Sequence, residues 1–261
     1  MTHDTTFYDS LTPYYHLIHQ DWNASIERQG EQLGSLIDSR WPGGRKVLDV
    51  SCGIGTQALA LARRGYQVVA SDLSPREVER ARAEAQARGL SIPFSVADMR
   101  QAHAHHGSGF DVVVCADNSL PHLLTDAEIL LALQQMHACL RPGGGCLITV
   151  RDYDAEPRGV NIVKPYGVRV EGERRYLLFQ VWDFDGAYCD ITFFFVEEDT
   201  RTQAVQTHAM RSRYYAISTG RLEQLMVEAG FEQVVRLDGV FYQPVLIGRC
   251  NGLSPMDRQA A

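Results

Sequence analysis

Residues 46–74 read KVLDVSCGIGTQALALARRGYQVVASDLS: an apolar strand, a turn of small residues, a helix, and a second strand that stops on Asp72. This order brings the free amides of a helix start and a carboxylate to one end of a sheet. A purely structural segment has no use for both, so a polar ligand is expected there.

The alternation continues outward from that stretch. Strands are predicted at 45–50, 67–71, 92–96, 110–115 and 145–151, with helices at 56–64, 75–88 and 126–140 between most of them. Parallel neighbours need crossover connections, so this order predicts a parallel sheet with helices on both faces. The apolar runs VLDV (47–50), VVA (68–70) and DVVVCA (111–116) fit strands buried on both sides. WPGG at 41–44 and RPGGG at 141–145 read as helix stops.

On the N-terminal side, Ile26, Leu33, Leu36 and Ile37 recur at helical spacing. Beyond residue 151 the period falls to two: RYLLFQVWDFDG (175–186), AYCDITFFFVEE (187–198) and TQAVQTHAMRSRYY (202–215) read as three strands, with a hairpin at Asp185–Gly186. STGRLEQLMVEAGF (218–231) is a capped helix, followed by a closing pair of strands. The predicted organisation is a helical lid at 1–44, a core at 45–151, an antiparallel β insertion at 152–216 that covers the substrate, a closing helix and strands at 217–250, and a disordered tail at 251–261.

The bulk properties narrow the function. With 261 residues, 45% hydrophobic and 22% charged, the chain has the composition of a globular protein. A net charge of -7 without a basic face disfavours a nucleic-acid partner. Cys52, Cys115, Cys139, Cys146, Cys189 and Cys250 show no CxxC spacing and read as reduced, buried residues of a cytoplasmic protein. MTHDTTFYDS has neither the basic nor the apolar region of a signal peptide, and no run approaches the roughly 18 apolar residues of a membrane span, so no membrane partner is expected. HAHH at 103–106 lies in a connection without matching carboxylates or cysteines and reads as a solvated loop, and no metal is expected. GxSxG and Cys-His nucleophile patterns are missing, which removes the common hydrolase readings.

The turn after the first strand is a DxxxGxG pattern, Asp49 to Gly55, whose glycines allow a sharp turn and close approach of a ligand to the backbone. The third glycine of a dinucleotide loop is missing, which disfavours a pyrophosphate. Asp72 can accept hydrogen bonds from both hydroxyls of a ribose; its bland alternative is a cap on the helix that starts near Pro75.

Loop and acid together resemble the class I S-adenosylmethionine-dependent methyltransferases over residues 45–151. The resemblance implies an α/β, Rossmann-like doubly wound, mostly parallel seven-stranded sheet with the β insertion and lid described above, and S-adenosylmethionine as cofactor. It implies that Asp49, Ser51, Gly53 and Gly55 hold the aminocarboxypropyl part, that Asp72 with Leu73 holds the ribose, and that Asp98 and Met99 meet the adenine.

CADNSLPHL (115–123), TVRDYD (149–154) and MRSRYY (210–215) narrow the likeness to the glycine and sarcosine N-methyltransferases, whose segments have the forms GNSFxHL, RNYD and Tyr-Tyr. By that likeness Arg151 binds a substrate carboxylate and Asn118 orients it. The alternative for Arg151 is pairing with Asp152 or Asp154. Of the tyrosine pair only one can face the pocket, and Tyr214 is the choice over Tyr215. His122 is a candidate to take an ammonium proton, or to contact cofactor or loop. Tyr15, Trp22 and Arg28 are the lid candidates over the cofactor. Asp152 in place of Asn, and Phe193–Phe195 where the glycine enzymes carry a tyrosine, leave the acceptor open toward a larger or more apolar amine.

The expected activity is methyl transfer to the nitrogen of a small amine or amino acid, by a chain that is compatible with a homo-oligomer. An O-methyltransferase or specialised-metabolite methyltransferase on the same fold, and a non-catalytic S-adenosylmethionine sensor, are the alternatives.

Overall fold

The computed structural model describes residues 3–251, so all but the first residue of the expected tail at 251–261 lies outside the described residues. A helix α1 (His3–Leu11) and a 3-10 turn (Tyr15–Ile18) precede α2 (Trp22–Arg40), whose N-cap Asp21 accepts from the amide of Ala24. The core then runs β1 (Lys46–Asp49), α3 (Thr56–Arg63), β2 (Gln67–Asp72), α4 (Pro75–Ala87), β3 (Phe94–Val96), α5 (Ala102–His106), β4 (Phe110–Cys115), α6 (Asp126–Cys139) and β5 (Leu140–Thr149). Four strands follow: β6 (Ile162–Glu171), β7 (Arg174–Asp185), β8 (Tyr188–Asp199) and β9 (Val205–Tyr215). The chain closes with α7 (Thr219–Glu228), β10 (Glu232–Leu237) and β11 (Val245–Arg249).

Seven strands form one sheet in the order β10-β11-β5-β4-β1-β2-β3. β1 to β5 pair in parallel, and β11 runs antiparallel to both β5 and β10. Side-chain alternation explains why these strands read as unbroken apolar runs. Val47, Val112, Val114 and Leu147 face α2 and α3, against Ile26, Leu33, Leu59 and Leu61. Leu48, Val113, Cys146 and Ile148 face the opposite layer, against Ile129, Leu133, Leu225 and Met226 of α6 and α7. Each face hides a full set of branched side chains, so the doubly wound sheet expected from the sequence is present.

The insertion departs from expectation by one strand. Its sheet has the order β6-β7-β8-β9, and the sequence pattern predicts only the last three. β6 is an edge strand: Val163, Val168 and Val170 are exposed, and the register shifts between Pro165 and Gly167. A proline and a bulge on an edge blunt further pairing and also erase the alternating pattern. The inner face of this sheet packs Leu178, Trp182, Ile191, Phe193 and Phe195 against Phe7, Leu11 and Leu17 of the lid.

Two further expectations are corrected. β5 starts at Leu140, before the predicted stop at 141–145; the RPGG segment bulges between the pairs Phe110–Leu140 and Val112–Gly145. The 103–106 run is helical rather than a loop; His103 and His105 are exposed as expected, whereas His106 is partly buried with Nε2 2.9 Å from Ser71 Oγ of β2. Among the described residues no group of His, Cys, Asp and Glu has the arrangement of a metal site, and all six cysteines are buried. No helix of the described residues is long and apolar enough to cross a membrane.

Candidate functional site

The parallel strands end along one edge, and two clefts open there. The first lies over the ends of β1 and β2, walled by Ser51 and Gly53 of the turn, Asp72, Leu73 and Glu77, the 97–100 segment, Ser119 and His122 to Leu124, with Tyr8 and Tyr15 of the lid above. The turn is held by backbone bonds from Cys52 N to Ser71 O (2.9 Å) and from Gly55 N to Cys52 O (2.8 Å). Gly53 has φ 52°, and a Cβ there would lie 3.1 Å from Glu77 Oε2 and 3.3 Å from the Tyr15 ring. Only glycine combines that dihedral with so close an approach.

Asp72 anchors this corner. One oxygen accepts the Gly53 amide at 2.9 Å and the other the Ser74 amide at 2.9 Å. The cap of α4 is Ser74, which accepts from Glu77 N, so the alternative of Asp72 as helix cap does not apply. A carboxylate has about four acceptor directions, and two remain for ligand hydroxyls. Burial raises the Asp72 carboxyl above its usual range, against the backbone amides that lower it.

Tyr15, Ser51, Gly53, Asp72, Leu73, Asp98 and Met99 all line this cleft. For Asp98, burial alone would raise the carboxyl, but the Arg100 guanidinium and amide bring it below its ordinary range. The remaining cofactor candidates sit elsewhere. Asp49 is buried beneath the turn, where burial pushes its carboxyl up to about 7 and Oδ2 has no hydrogen-bond partner. Gly55 is the N-cap of α3 and faces Leu59 and Ala81. Trp22 is a core residue that donates its indole N–H to Thr56 Oγ1 at 2.8 Å. Arg28 donates to Ser25 Oγ at 3.1 Å and, with His19 and Tyr242, lines a cleft that adjoins not the first cleft but the one at Asp117, Arg151 and Tyr166. A likeness to a helical lid names the helix; it does not fix which of its residues meet the cleft.

The second cleft lies beneath the insertion sheet, between the lid and the segments after β4 and β5. Asp117, Asn118, Arg151, Tyr153, Tyr166, Trp182 and Tyr214 line it. Asp117 and Asn118 have φ 57° and 66°, two successive non-glycine residues in the left-handed region. Such strain, of order 1–3 kcal/mol each, persists where the surroundings enforce it. Here Thr149 supplies the restraint, accepting the Asp117 amide on its hydroxyl (2.8 Å) and the Asn118 amide on its carbonyl (3.0 Å).

Asn118 and Arg151 are both partly committed within the protein. Asn118 Nδ2 donates to Tyr153 Oη at 2.9 Å, and its Oδ1 accepts the Arg151 amide at 3.0 Å. The Arg151 guanidinium lies 4.7 Å from the Trp182 ring centroid and 3.2 Å from Glu156 Oε1, rather than pairing with Asp152 or Asp154. Asp152 instead pairs with Arg236 at 2.8 Å. Tyr214 faces this cleft, whereas Tyr215 turns away and donates to Asp126 at 2.9 Å.

Tyr8 and Tyr15 line both clefts, so the two cavities share one wall. At that wall Tyr8 Oη lies 2.6 Å from His122 Nε2, the His122 and Tyr214 rings are 4.3 Å apart, and Ser212 Oγ is 3.4 Å from His122 Nδ1. Burial pushes the phenols of Tyr8, Tyr15 and Tyr214 up, which keeps them neutral donors at physiological pH. Tyr8, Glu77 and Asp117 are site residues that the sequence pattern does not single out. The signal for Tyr8 is the aromatic-polar run FYDS, which fixes no direction.

Residues 47–144 match the family described as methyltransferase domain. A glycine/sarcosine N-methyltransferase of Parasynechococcus marenigrum (strain WH8102) is 33% identical over 144 residues, 55% of this chain and 50% of that protein. The chain thus spans about half the length of the curated relatives it matches. Among solved structures, Streptomyces venezuelae DesVI aligns with TM-score 0.77 at 21% identity, over 95% of this chain and 98% of that one. CalS10 with bound S-adenosylmethionine, an amino pentose methyltransferase from Micromonospora echinaspora, aligns with TM-score 0.75 at 20% identity, over 87% of this chain and 92% of that one. At those identities the likeness is one of fold.

Proposed function

We propose, from the methyltransferase domain that residues 47–144 carry, that this chain transfers the methyl group of S-adenosylmethionine to the nitrogen of a small amine. The observation that carries the reading is the shared wall: a nucleoside-sized cleft at Asp72, which His122 also lines, and an aromatic, polar cleft at Arg151 meet at Tyr8 and Tyr15.

The first cleft suits this cofactor on its own chemistry. Asp72 keeps two acceptor directions for a ribose diol, Gly53 leaves space that a Cβ would fill, and Glu77 Oε1 is a buried oxygen without a partner. Ser51, Gly53, Asp72 and Leu73 would hold the cofactor, with Asp98 and Met99 at the adenine end. When bound, S-adenosylmethionine supplies a methyl group on a sulfonium, open to displacement by a neutral amine with S-adenosylhomocysteine as the leaving group.

The protein's own part is to bind, orient and exclude water, and well-oriented partners gain on the order of 7 to 11 kcal/mol in this way. Tyr214 and Tyr8 border the transfer point with neutral rings, a favourable surrounding for positive charge. His122, bonded to Tyr8, is positioned to take the proton that an ammonium acceptor must lose.

For the acceptor, Arg151 supports an amino acid, since a guanidinium binds a carboxylate in a two-pronged grip. Its contact with Glu156 supports a second reading, an amine without a carboxylate such as an amino sugar, CalS10 being an amino pentose methyltransferase. Calorimetry with S-adenosylmethionine tests the cofactor: Asp72→Ala should weaken binding about 100-fold, the loss of two hydrogen bonds to a charged group. S-adenosylhomocysteine release from a panel of glycine, sarcosine, dimethylglycine and amino-sugar nucleotides separates the acceptors. Turnover confined to hydroxyl acceptors would overturn the nitrogen assignment, and binding without turnover of any acceptor would favour a sensor.

A further inference from the structure

Glu77 is 1% exposed, its Oε1 has no hydrogen-bond partner, and it lines the first cleft. Its position explains this. Ser74-Pro75-Arg76-Glu77 has the S-x-x-E form of a capping box, in which the acid folds back onto the amide of the cap residue. Half of that box is present, since Ser74 Oγ accepts from Glu77 N at 3.2 Å. The other half is pre-empted: Asp72 Oδ1 already accepts the Ser74 amide. The Glu77 side chain is therefore released from its capping role and lies against the turn, with Oε2 3.1 Å from where a Cβ on Gly53 would stand.

The groups around it are mostly acidic. Asp72 faces it from the end of β2, Asp9 from α1, Asp117 from the loop after β4, and the Tyr8 and Tyr15 phenols from the lid. The basic group facing it is Arg80, one turn along α4, whose guanidinium also serves the Thr12 carbonyl and Glu84. Burial, followed by the charge of Asp72, holds the Glu77 carboxyl well above the usual range. A buried acid without a cationic partner is stable only while protonated, or while a cation stands beside it.

We propose that Glu77 senses the charge of the cofactor: it keeps its proton until a sulfonium nucleoside enters the cleft, then releases it to solvent and faces the cation as a carboxylate. The balance is one carboxylic acid and one cationic ligand giving a carboxylate-cation pair and one free proton. The product of methyl transfer has a neutral sulfur, so the same residue favours exchange of spent for fresh cofactor. This rests on the cofactor reading above.

The test is calorimetry of the full chain at pH 7 in phosphate and in Tris, whose different ionisation enthalpies count the protons released. S-adenosylmethionine should release more protons than S-adenosylhomocysteine, and its affinity should rise with pH. Glu77→Gln should remove most of the difference in protons and lower the preference for S-adenosylmethionine about 10-fold, while still binding S-adenosylhomocysteine as evidence that it is folded. Equal proton release for the two ligands in the unaltered protein, a comparison that needs no variant, would overturn the proposal, as would unchanged release in Glu77→Gln. Failure of the unaltered protein to bind S-adenosylmethionine would instead overturn the cofactor reading and take this inference with it.

Discussion

Tyr8 Oη and His122 Nε2 lie 2.6 Å apart, although 114 residues separate them in the chain. This contact joins α1 to the segment after β4 at the wall between the first cleft and the second. Tyr8→Phe keeps the ring and loses the bond, so stability should fall by about 1 kcal/mol and kcat/KM about 5- to 10-fold. Tyr8→Ala also removes the wall between the clefts and should cost more. Steady-state kinetics on the pair checks this; unchanged kcat/KM in Tyr8→Phe would show that the hydroxyl is idle.

The pairing of Arg151 with Glu156 separates the two acceptor readings. If a carboxylate is recognised, Glu156→Gln frees the guanidinium and should lower KM for that acceptor. Arg151→Met should raise the same KM by about 10- to 100-fold, the worth of a charge-assisted hydrogen bond. An amine without a carboxylate should show neither effect. Initial-rate measurements with one acceptor of each kind decide between these outcomes.

Gly145 on β5 and the ring of Trp41 form a close packing contact that a side chain would destroy. A Cβ on Gly145 would lie 2.3 Å from a ring carbon, and Trp41 is 3% exposed, so the indole has little room to move. Overpacking of this kind costs typically 1–3 kcal/mol. Gly145→Ala should lower the urea midpoint accordingly, and adding Trp41→Leu should recover part of the loss. A midpoint unchanged in Gly145→Ala would show that the β5 bulge absorbs the methyl group.

How much is legible in the sequence follows from what each signal encodes. β1, its turn, α3 and β2 are readable because Val47, Leu48, Gly53 and Asp72 each carry a local requirement: a two-faced apolar strand, a positive φ, a carboxylate at a strand end. β6 is hidden because its valines face solvent and Pro165 breaks its pattern. Trp22 and Arg28 are assigned to the cofactor by likeness to a helical lid, which does not fix the helix register and so cannot tell the Thr56 wall from the cleft. Glu77 is concealed by looking like an ordinary capping-box acid. That Asp72 takes the Ser74 amide is a tertiary fact, visible only once β2 and α4 are set side by side.

The buried Asp49 predicts an unusual dependence of stability on pH. Burial raises its carboxyl to about 7, against the Ser51 amide that lowers it and with Asp72 adding to the rise; the unfolded chain titrates near ~3.9. Between these values the folded protein binds a proton that the unfolded chain has lost. The contribution is therefore full below about pH 4, declines as pH rises through the window, and is gone above about pH 7. A shift of this size corresponds to on the order of 4 kcal/mol. Asp49→Asn keeps an acceptor for the Ser51 amide and removes the charge, so without cofactor it should be more stable than the unaltered protein at pH 8 and nearly equal to it at pH 4. His106, lowered to about 4 by burial and His105, works in the opposite direction but is common to both proteins, so it cancels in the difference. Urea denaturation of the two proteins across pH 4 to 8 measures that difference, and parallel pH profiles would show that Asp49 ionises without cost.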